Sequence, residues 1–380
     1  MKNIYLETHN KKDCNGCGIC TIGCPVNAIK MIEDNEGFYY PVIDESKCIK
    51  CNKCKNICSN YNNSDSFGKA FMAINNNKEE LKNSSSGGMF YILAKYVIQK
   101  NGVVFGVEYG QGLKVQHNYY ENLEDCKKFQ GSKYLRSYIG DSYEKVKEFL
   151  KQDRWVLFTG TPCQCNALKV FLKENYEKLI LCEIICHANP SPKVFKKYID
   201  ELEKSRQNKV VSVFFRSKDT GWRNQTPVIK YKNGDIEKEN TYFLAFVNEL
   251  LGRPSCHSCQ FSSTNRISDF TIGDFWGVEK VIPDIVDDDT GISLITVNTE
   301  KGMKIFEKIK NNMTYKEVDK ELAFSYNHHG NVPMHKNRQK FFDNLDKMPV
   351  IENMQKCIKV SIIRKILRRS KKVLKKVLNK

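Results

Sequence analysis

The chain has 380 residues, 41% of them hydrophobic and 11% aromatic, which is enough for two or three soluble domains with a sizeable core. No stretch reaches the roughly 18 apolar residues of a membrane-spanning helix, and the start MKNIYLETHN has no apolar signal segment, so the expected location is the cytoplasm with reduced thiols. The net charge of +17 is concentrated in residues 351–380, which carry eleven Lys or Arg against the single acid Glu352. The rest of the chain carries only +7, too little for a body built to hold nucleic acid.

Eight of the sixteen cysteines fall in two copies of one pattern near the start. Cys14, Cys17, Cys20 and Cys24-Pro25 are each followed 34 residues later by Cys48, Cys51, Cys54 and Cys58-Ser59. Three thiolates at i, i+3 and i+6 can converge on one [4Fe–4S] cube, while the fourth of each run reaches the other cube, as in two-cluster ferredoxins. The expected ligand sets are Cys14, Cys17, Cys20 and Cys58 for one cluster, and Cys48, Cys51, Cys54 and Cys24 for the other. Disulfides would need an oxidising compartment, and zinc prefers two CxxC-like pairs, so both fit the pattern poorly. Between the runs, 28–32 and 38–43 read as two strands around the turn Asp34–Gly37, and a polar linker follows at 62–66.

From residue 68 the pattern alternates. Strands are expected at 70–74, 103–108, 155–158 and 179–185, and helices at 88–100, 142–151, 165–173 and from 192 to about 204. Further strands are expected at 210–215 and 228–231. The predicted fold class is an α+β ferredoxin-like two-cluster module followed by an α/β domain with a mixed sheet, then a basic amphipathic C-terminal helix. The expected domain ranges are 1–64, 68–150, 151–345 and a tail over 351–380.

Residues 68–345 carry a further series of segments. They run from Ser84-Ser85-Ser86-Gly87-Gly88 and Gly131-Ser132-Lys133-Tyr134 through 158–164 (FTGTPCQ), Cys186-His187 and 190–192 (PSP). Gly221-Trp222-Arg223, Cys256-x2-Cys259, 266–269 (RISD), 273–277 (GDFWG) and Gly291-Ile292-Ser293 complete it. In this order these segments resemble the coenzyme F420 hydrogenase/dehydrogenase beta-subunit family, and the resemblance implies FAD, iron–sulfur clusters and electron exchange with a second redox partner. The substrate would be coenzyme F420 or another conjugated acceptor, since plant and bacterial relatives act on others, including a chlorophyll intermediate. Relatives with fused ferredoxin modules also occur in bacterial polysaccharide gene clusters. A departure stands at Ala188-Asn189, where the family usually has glycine after the histidine.

Cys163 and Cys186 each follow a predicted strand, at the carboxyl ends where open α/β sheets place ligands. With Cys256 and Cys259 they make four thiols, enough for a third [4Fe–4S] cluster, although zinc or simple burial would also explain some of them. Cys126, Cys165, Cys182 and Cys357 lack such spacing and read as structural. No GxGxxG follows a strand, so the sequence offers no Rossmann-type dinucleotide site. Ser86, Gly87 and Gly88 open a helix whose N–H groups could hold a pyrophosphate, although ordinary N-capping explains a serine there. With the resemblance, Lys133, Tyr134 and Thr161 join them as cofactor-binding candidates, and His187, Trp222 and Arg223 are the candidate active-site residues. The rival reading is a non-enzymatic electron-transfer subunit of a larger redox complex. Expected partners are a ferredoxin or other redox protein and a small-molecule electron acceptor or donor. Residues 360–380 place apolar and basic side chains at helical spacing, which suits a helix lying on the anionic inner face of a membrane better than one holding nucleic acid.

Overall fold

The computed structural model describes residues 3–59, 68–327 and 330–358. The polar linker and the amphipathic segment expected over 360–380 lie outside them. Among the described residues, no helix is long and apolar enough to cross a membrane.

Strands β1 (Ile29–Glu33) and β2 (Tyr39–Ile43) pair antiparallel, with Ile29 opposite Ile43 and Glu33 opposite Tyr39. Asp34 makes the turn between them, its Oδ1 accepting the N–H groups of Glu36 at 3.1 Å and Phe38 at 2.9 Å. Gly37 completes the turn at φ +84°, and a Cβ there would sit 2.2 Å from Lys193 Cβ. The hairpin tip is therefore wedged against the helix Pro192–Arg206. Phe38 and Tyr40 enter the same apolar cluster as Phe195 and Tyr198 of that helix, so the N-terminal module is part of the body's packing.

The body is built on eight strands. They are β3 (Lys69–Asn75), β4 (Val103–Tyr109), β5 (Val115–Tyr120), β6 (Val156–Gly160), β7 (Leu179–Ile184), β11 (Phe270–Asp274), β12 (Ser293–Val297) and β13 (Met313–Val318). The sheet order is β13-β3-β12-β11-β7-β6-β4-β5. Its centre, β4-β6-β7-β11, is parallel, and the flanking strands are antiparallel, which gives the expected mixed sheet. Every residue of β6 and β12 is buried, as strands covered on both faces require. Leu157 packs on one side with Leu93, Val97 and Phe306, while Phe158 packs on the other with Tyr143, Val146 and Leu168. One sheet thus draws strands from both sides of residue 150. A smaller antiparallel sheet of β8 (Val210–Ser217), β9 (Thr226–Tyr231) and β10 (Ile236–Lys238) covers the helix Pro192–Arg206.

The helix expected from residue 165 begins at Pro162, because Thr161 and Gln164 form a capping box and Pro162 fills the first turn. In the cysteine repeat, the first copy's helix Ile19–Ile22 stops before Cys24-Pro25, since a residue preceding proline avoids helical backbone. With Ser59 in place of proline, the second copy's helix runs over Lys53–Ser59.

His117 on β5 is buried, with Nε2 3.0 Å from Thr159 O and Nδ1 3.0 Å from Ser137 Oγ. Burial pushes its imidazole from 6.5 down to about 4. The unfolded chain therefore binds a proton that the folded chain refuses. Stability is full above pH 6.5 and falls as pH drops toward 4, by about 2 kcal/mol between pH 7 and pH 5. Denaturation of the His117→Gln variant should show less of that acid loss; equal loss in both proteins would remove His117 as its source.

Candidate functional site

The first thiol set lies in a loop bent through Gly16 and Gly18, both left-handed at φ +67° and +78°. Cys58, from the helix Lys53–Ser59, joins Cys14, Cys17 and Cys20 in lining a cleft of about 670 Å³, together with Met31, Pro41 and Ile57. Burial pushes the Cys17 thiol up to about 12, with Cys58, Cys163 and Cys14 adding to the effect, and it also raises Cys20. A thiolate at such a place needs a cation beside it. In the second set, Cys54 is raised by burial and then by Cys24 and Cys48, so Cys24 of the first run lies near Cys54 of the second.

A second cleft of about 500 Å³ is lined by Cys163, Cys186, Cys256 and Cys259, with His187, Asn189, Phe261 and Arg266 beside them. Cys163 sits in the first turn of the helix Pro162–Leu172, Cys186 follows β7, and Cys256 and Cys259 flank the turn Pro254–Ser258. Burial raises Cys186 first, then the thiols of Cys256, Cys163 and Cys259; Cys259 is pushed up to about 12. At the departure Ala188-Asn189, the Asn189 N–H donates to Cys256 Sγ at 3.4 Å. Among the described residues, no three Cys, His, Asp or Glu gather round a single metal ion. Cys126, Cys165, Cys182 and Cys357 are all buried in apolar clusters, as small hydrophobes.

Cys163 lines both clefts. Arg136, which the sequence did not single out, ties them together: its guanidinium donates to Cys163 Sγ at 3.2 Å and to Gly16 O at 2.8 Å. Arg253 donates to Cys14 O at 2.6 Å and to Tyr39 O at 3.0 Å, and lies 4.0 Å over the Tyr40 ring. Arg338 forms a two-pronged pair with Glu36 at 3.1 and 2.6 Å. These three arginines dock the cysteine module on the body. None lies in a spacing pattern; the only clue in the chain was that Arg136 stands two residues beyond Gly131–Tyr134.

Of the remaining candidates, His187 lines the second cleft, and a chain of ring and polar contacts runs from it to Tyr134 and Trp222. His187 sets Nε2 against the Glu249 carboxylate and packs edge-on against Phe246, 5.0 Å away. Phe246 also meets Tyr134 at 4.7 Å, and the Tyr134 hydroxyl accepts from Arg216 at 3.2 Å. Arg216 grips Asp274 at 2.6 and 3.0 Å, and Asp274 accepts the indole N–H of buried Trp222 at 2.7 Å. Trp222 stacks on Trp276 with ring centres 4.7 Å apart. Arg223 lies further out, bound to Asp287 and Glu279. In the serine–glycine loop, Ser86 Oγ donates to Ile292 O at 2.8 Å and Gly87 N–H donates to Ser293 Oγ at 2.9 Å, so much of the loop's polarity is spent on β12 and the residue before it. Lys218, also unforeseen, donates to the Leu81 and Ser86 carbonyls at 2.6 and 2.7 Å; burial pushes its ammonium down to about 8. Lys133 donates to the Lys128 and Gln130 carbonyls, with burial pushing it down to about 7, and Thr161 caps its helix 3.2 Å from Cys163 Sγ.

Comparison with known proteins matches residues 13–61 to a 4Fe-4S dicluster domain and residues 153–321 to the C terminus of the coenzyme F420 hydrogenase/dehydrogenase beta subunit. No curated protein matches the chain. Among solved structures, a chain of the F420-reducing [NiFe] hydrogenase complex from Methanosarcina barkeri, studied by xenon derivatisation, is similar at 18% identity and a TM-score of 0.46, over 75% of this chain and 95% of that one. By these matches the chain is an iron–sulfur electron-transfer protein that joins an N-terminal 4Fe-4S dicluster domain to a region related to the C terminus of the coenzyme F420 hydrogenase/dehydrogenase beta subunit.

Proposed function

We infer that this is an FAD- and iron–sulfur-dependent oxidoreductase that passes electrons between its thiol-held clusters and a flavin to reduce or oxidise coenzyme F420 or another conjugated acceptor. One observation carries the reading: Cys163 borders both the Cys14, Cys17, Cys20 and Cys58 cleft and the Cys186, Cys256 and Cys259 cleft, giving the N-terminal module a continuous thiol path into the body. When bound, clusters move electrons singly, and a flavin joins them to two-electron chemistry.

The chain's own residues support that division of labour. Cys163, Cys186, Cys256 and Cys259 would hold a third cluster, and the Arg136 guanidinium would offset thiolate charge while fixing the first loop. Lys218, a buried ammonium bound by two carbonyls of the loop region, supplies a cation for the flavin's phosphates beside Ser86, Gly87 and Gly88. Tyr134 offers a ring, with Lys133 next to it in sequence and Thr161 at the start of the helix Pro162–Leu172. His187, poised on Glu249, is the group proposed to exchange a proton with substrate. Trp222 acts by positioning Asp274 and Arg216, and Arg223 by holding the 279–287 loop. A link to polysaccharide biosynthesis carries over from the resemblance alone, and a tail seated on the membrane from the charge pattern of residues 360–380.

A relay without flavin is the second reading, favoured by the internal engagement of Lys133 and Arg223. Oxygen-free purification separates the two. The oxidoreductase should bring down FAD at about one per chain along with iron and sulfide; iron with no flavin leaves only the relay.

A further inference from the structure

The two cysteine runs share one spacing and face opposite surroundings. In the first, the left-handed positions are Gly16 and Gly18, and Gly16 is pressed by the body: its carbonyl accepts from Arg136, and a Cβ would meet Arg253 at 3.0 Å. Thirty-four residues later the same two left-handed positions are Lys50 and Asn52, at φ +53° and +55°. Asparagine tolerates this backbone; lysine is strained in it. Among the described residues no arginine donates a hydrogen bond to the second loop, and Lys50 and Asn52 are both exposed.

What stands there instead is charge. Residues 46–58 contain four lysines, Lys47, Lys50, Lys53 and Lys55, and no acid. Lys47 pairs with Asp44 and Lys55 with Glu7, whereas Lys50 and Lys53 are exposed and form no ion pair among the described residues. Ile49, between Lys47 and Lys50, is 62% exposed. Of the sixteen cysteines, Cys51 alone is exposed. An apolar centre with a positive rim, surrounding the one ligand candidate open to solvent, is the build of a transient electron-transfer contact.

We propose that the loop Lys47–Lys53 is the docking surface for an acidic one-electron carrier protein. This rests on the reading that Cys48, Cys51, Cys54 and Cys24 hold a cluster. In each encounter the carrier is oxidised by one electron and the chain is reduced by one, with no bond made or broken. The order of transfer then runs from the exposed second set, through the first set, to Cys163 and the body, so the duplicated runs are an outer and an inner station.

The test uses the full-length protein prepared without oxygen and, as probe, an acidic two-cluster [4Fe–4S] ferredoxin. Its affinity should fall with added salt, and the K50E/K53E variant should bind it about tenfold more weakly at low salt with iron content unchanged. Lys50→Gly, which restores the first run's residue at that backbone position, should fold normally and weaken binding by about twofold to threefold. Titanium(III) citrate should reduce all three proteins to the same extent. Affinity unaltered in K50E/K53E would overturn the proposal, as would loop-dependent binding of anionic vesicles with no binding of the ferredoxin. Wild-type protein without iron would instead sink the cluster reading beneath it.

Discussion

Replacing Cys256 by alanine should remove about four of the irons that the wild-type chain carries, leaving those of the N-terminal module. Cys256 shares its cleft with Cys163, Cys186 and Cys259, and a site missing one thiolate of four holds its cluster poorly. The N-terminal sets should keep theirs, because Cys14, Cys17, Cys20 and Cys58 line a separate cleft that Cys256 does not reach. Cys165→Ala is the control. That thiol is fully buried in an apolar cluster, so its loss should cost packing and no iron. Iron and sulfide analysis decides the matter. Equal iron in Cys256→Ala and wild type would show that the second cleft is packing rather than a ligand set, and the continuous thiol path would end at Cys163.

The Arg338→Met variant is expected to lose about 3–5 kcal/mol of stability. The Arg338 side chain is 3% exposed and that of Glu36 13%, so removing the guanidinium leaves a carboxylate stranded at the hairpin turn. Arg338 also donates to Gly252 O at 2.8 Å, which holds the strand-like segment leading to Arg253 and Cys256. Loss should therefore appear twice, as a lower unfolding midpoint and as looser docking of residues 28–43, read by hydrogen exchange. The double variant Glu36→Gln with Arg338→Met should recover most of the stability, since the stranded charge is gone. If the single variant unfolds like wild type, the clamp contributes nothing measurable to holding the module.

The legibility of this chain differed sharply between its parts. The cysteine runs could be read because three ligands for one cluster must be near neighbours in sequence, and the hairpin because Asp34–Gly37 forms a local turn. β3, β4, β6 and β7 were legible from their continuous apolar runs. β5, β11, β12 and β13 were not, since β13 exposes four residues in a row and β11 is a short segment ending in Gly273-Asp274. The second thiol set was readable as four cysteines with a family pattern, but nothing in their spacing showed that Cys163 borders the first cleft as well.

By itself the sequence determined the duplicated cysteine spacing, the alternation of strands and helices, and the concentration of basic charge at the C-terminal end. These are local properties, fixed by neighbours three or four residues apart. Only the tertiary structure decided that the two runs are unequal, one clamped to the body by Arg136 and Arg253 and the other facing outward with Lys50 and Cys51. The reason is physical: a guanidinium reaches its carbonyl partner across more than a hundred residues, and only folding brings such groups into hydrogen-bond range.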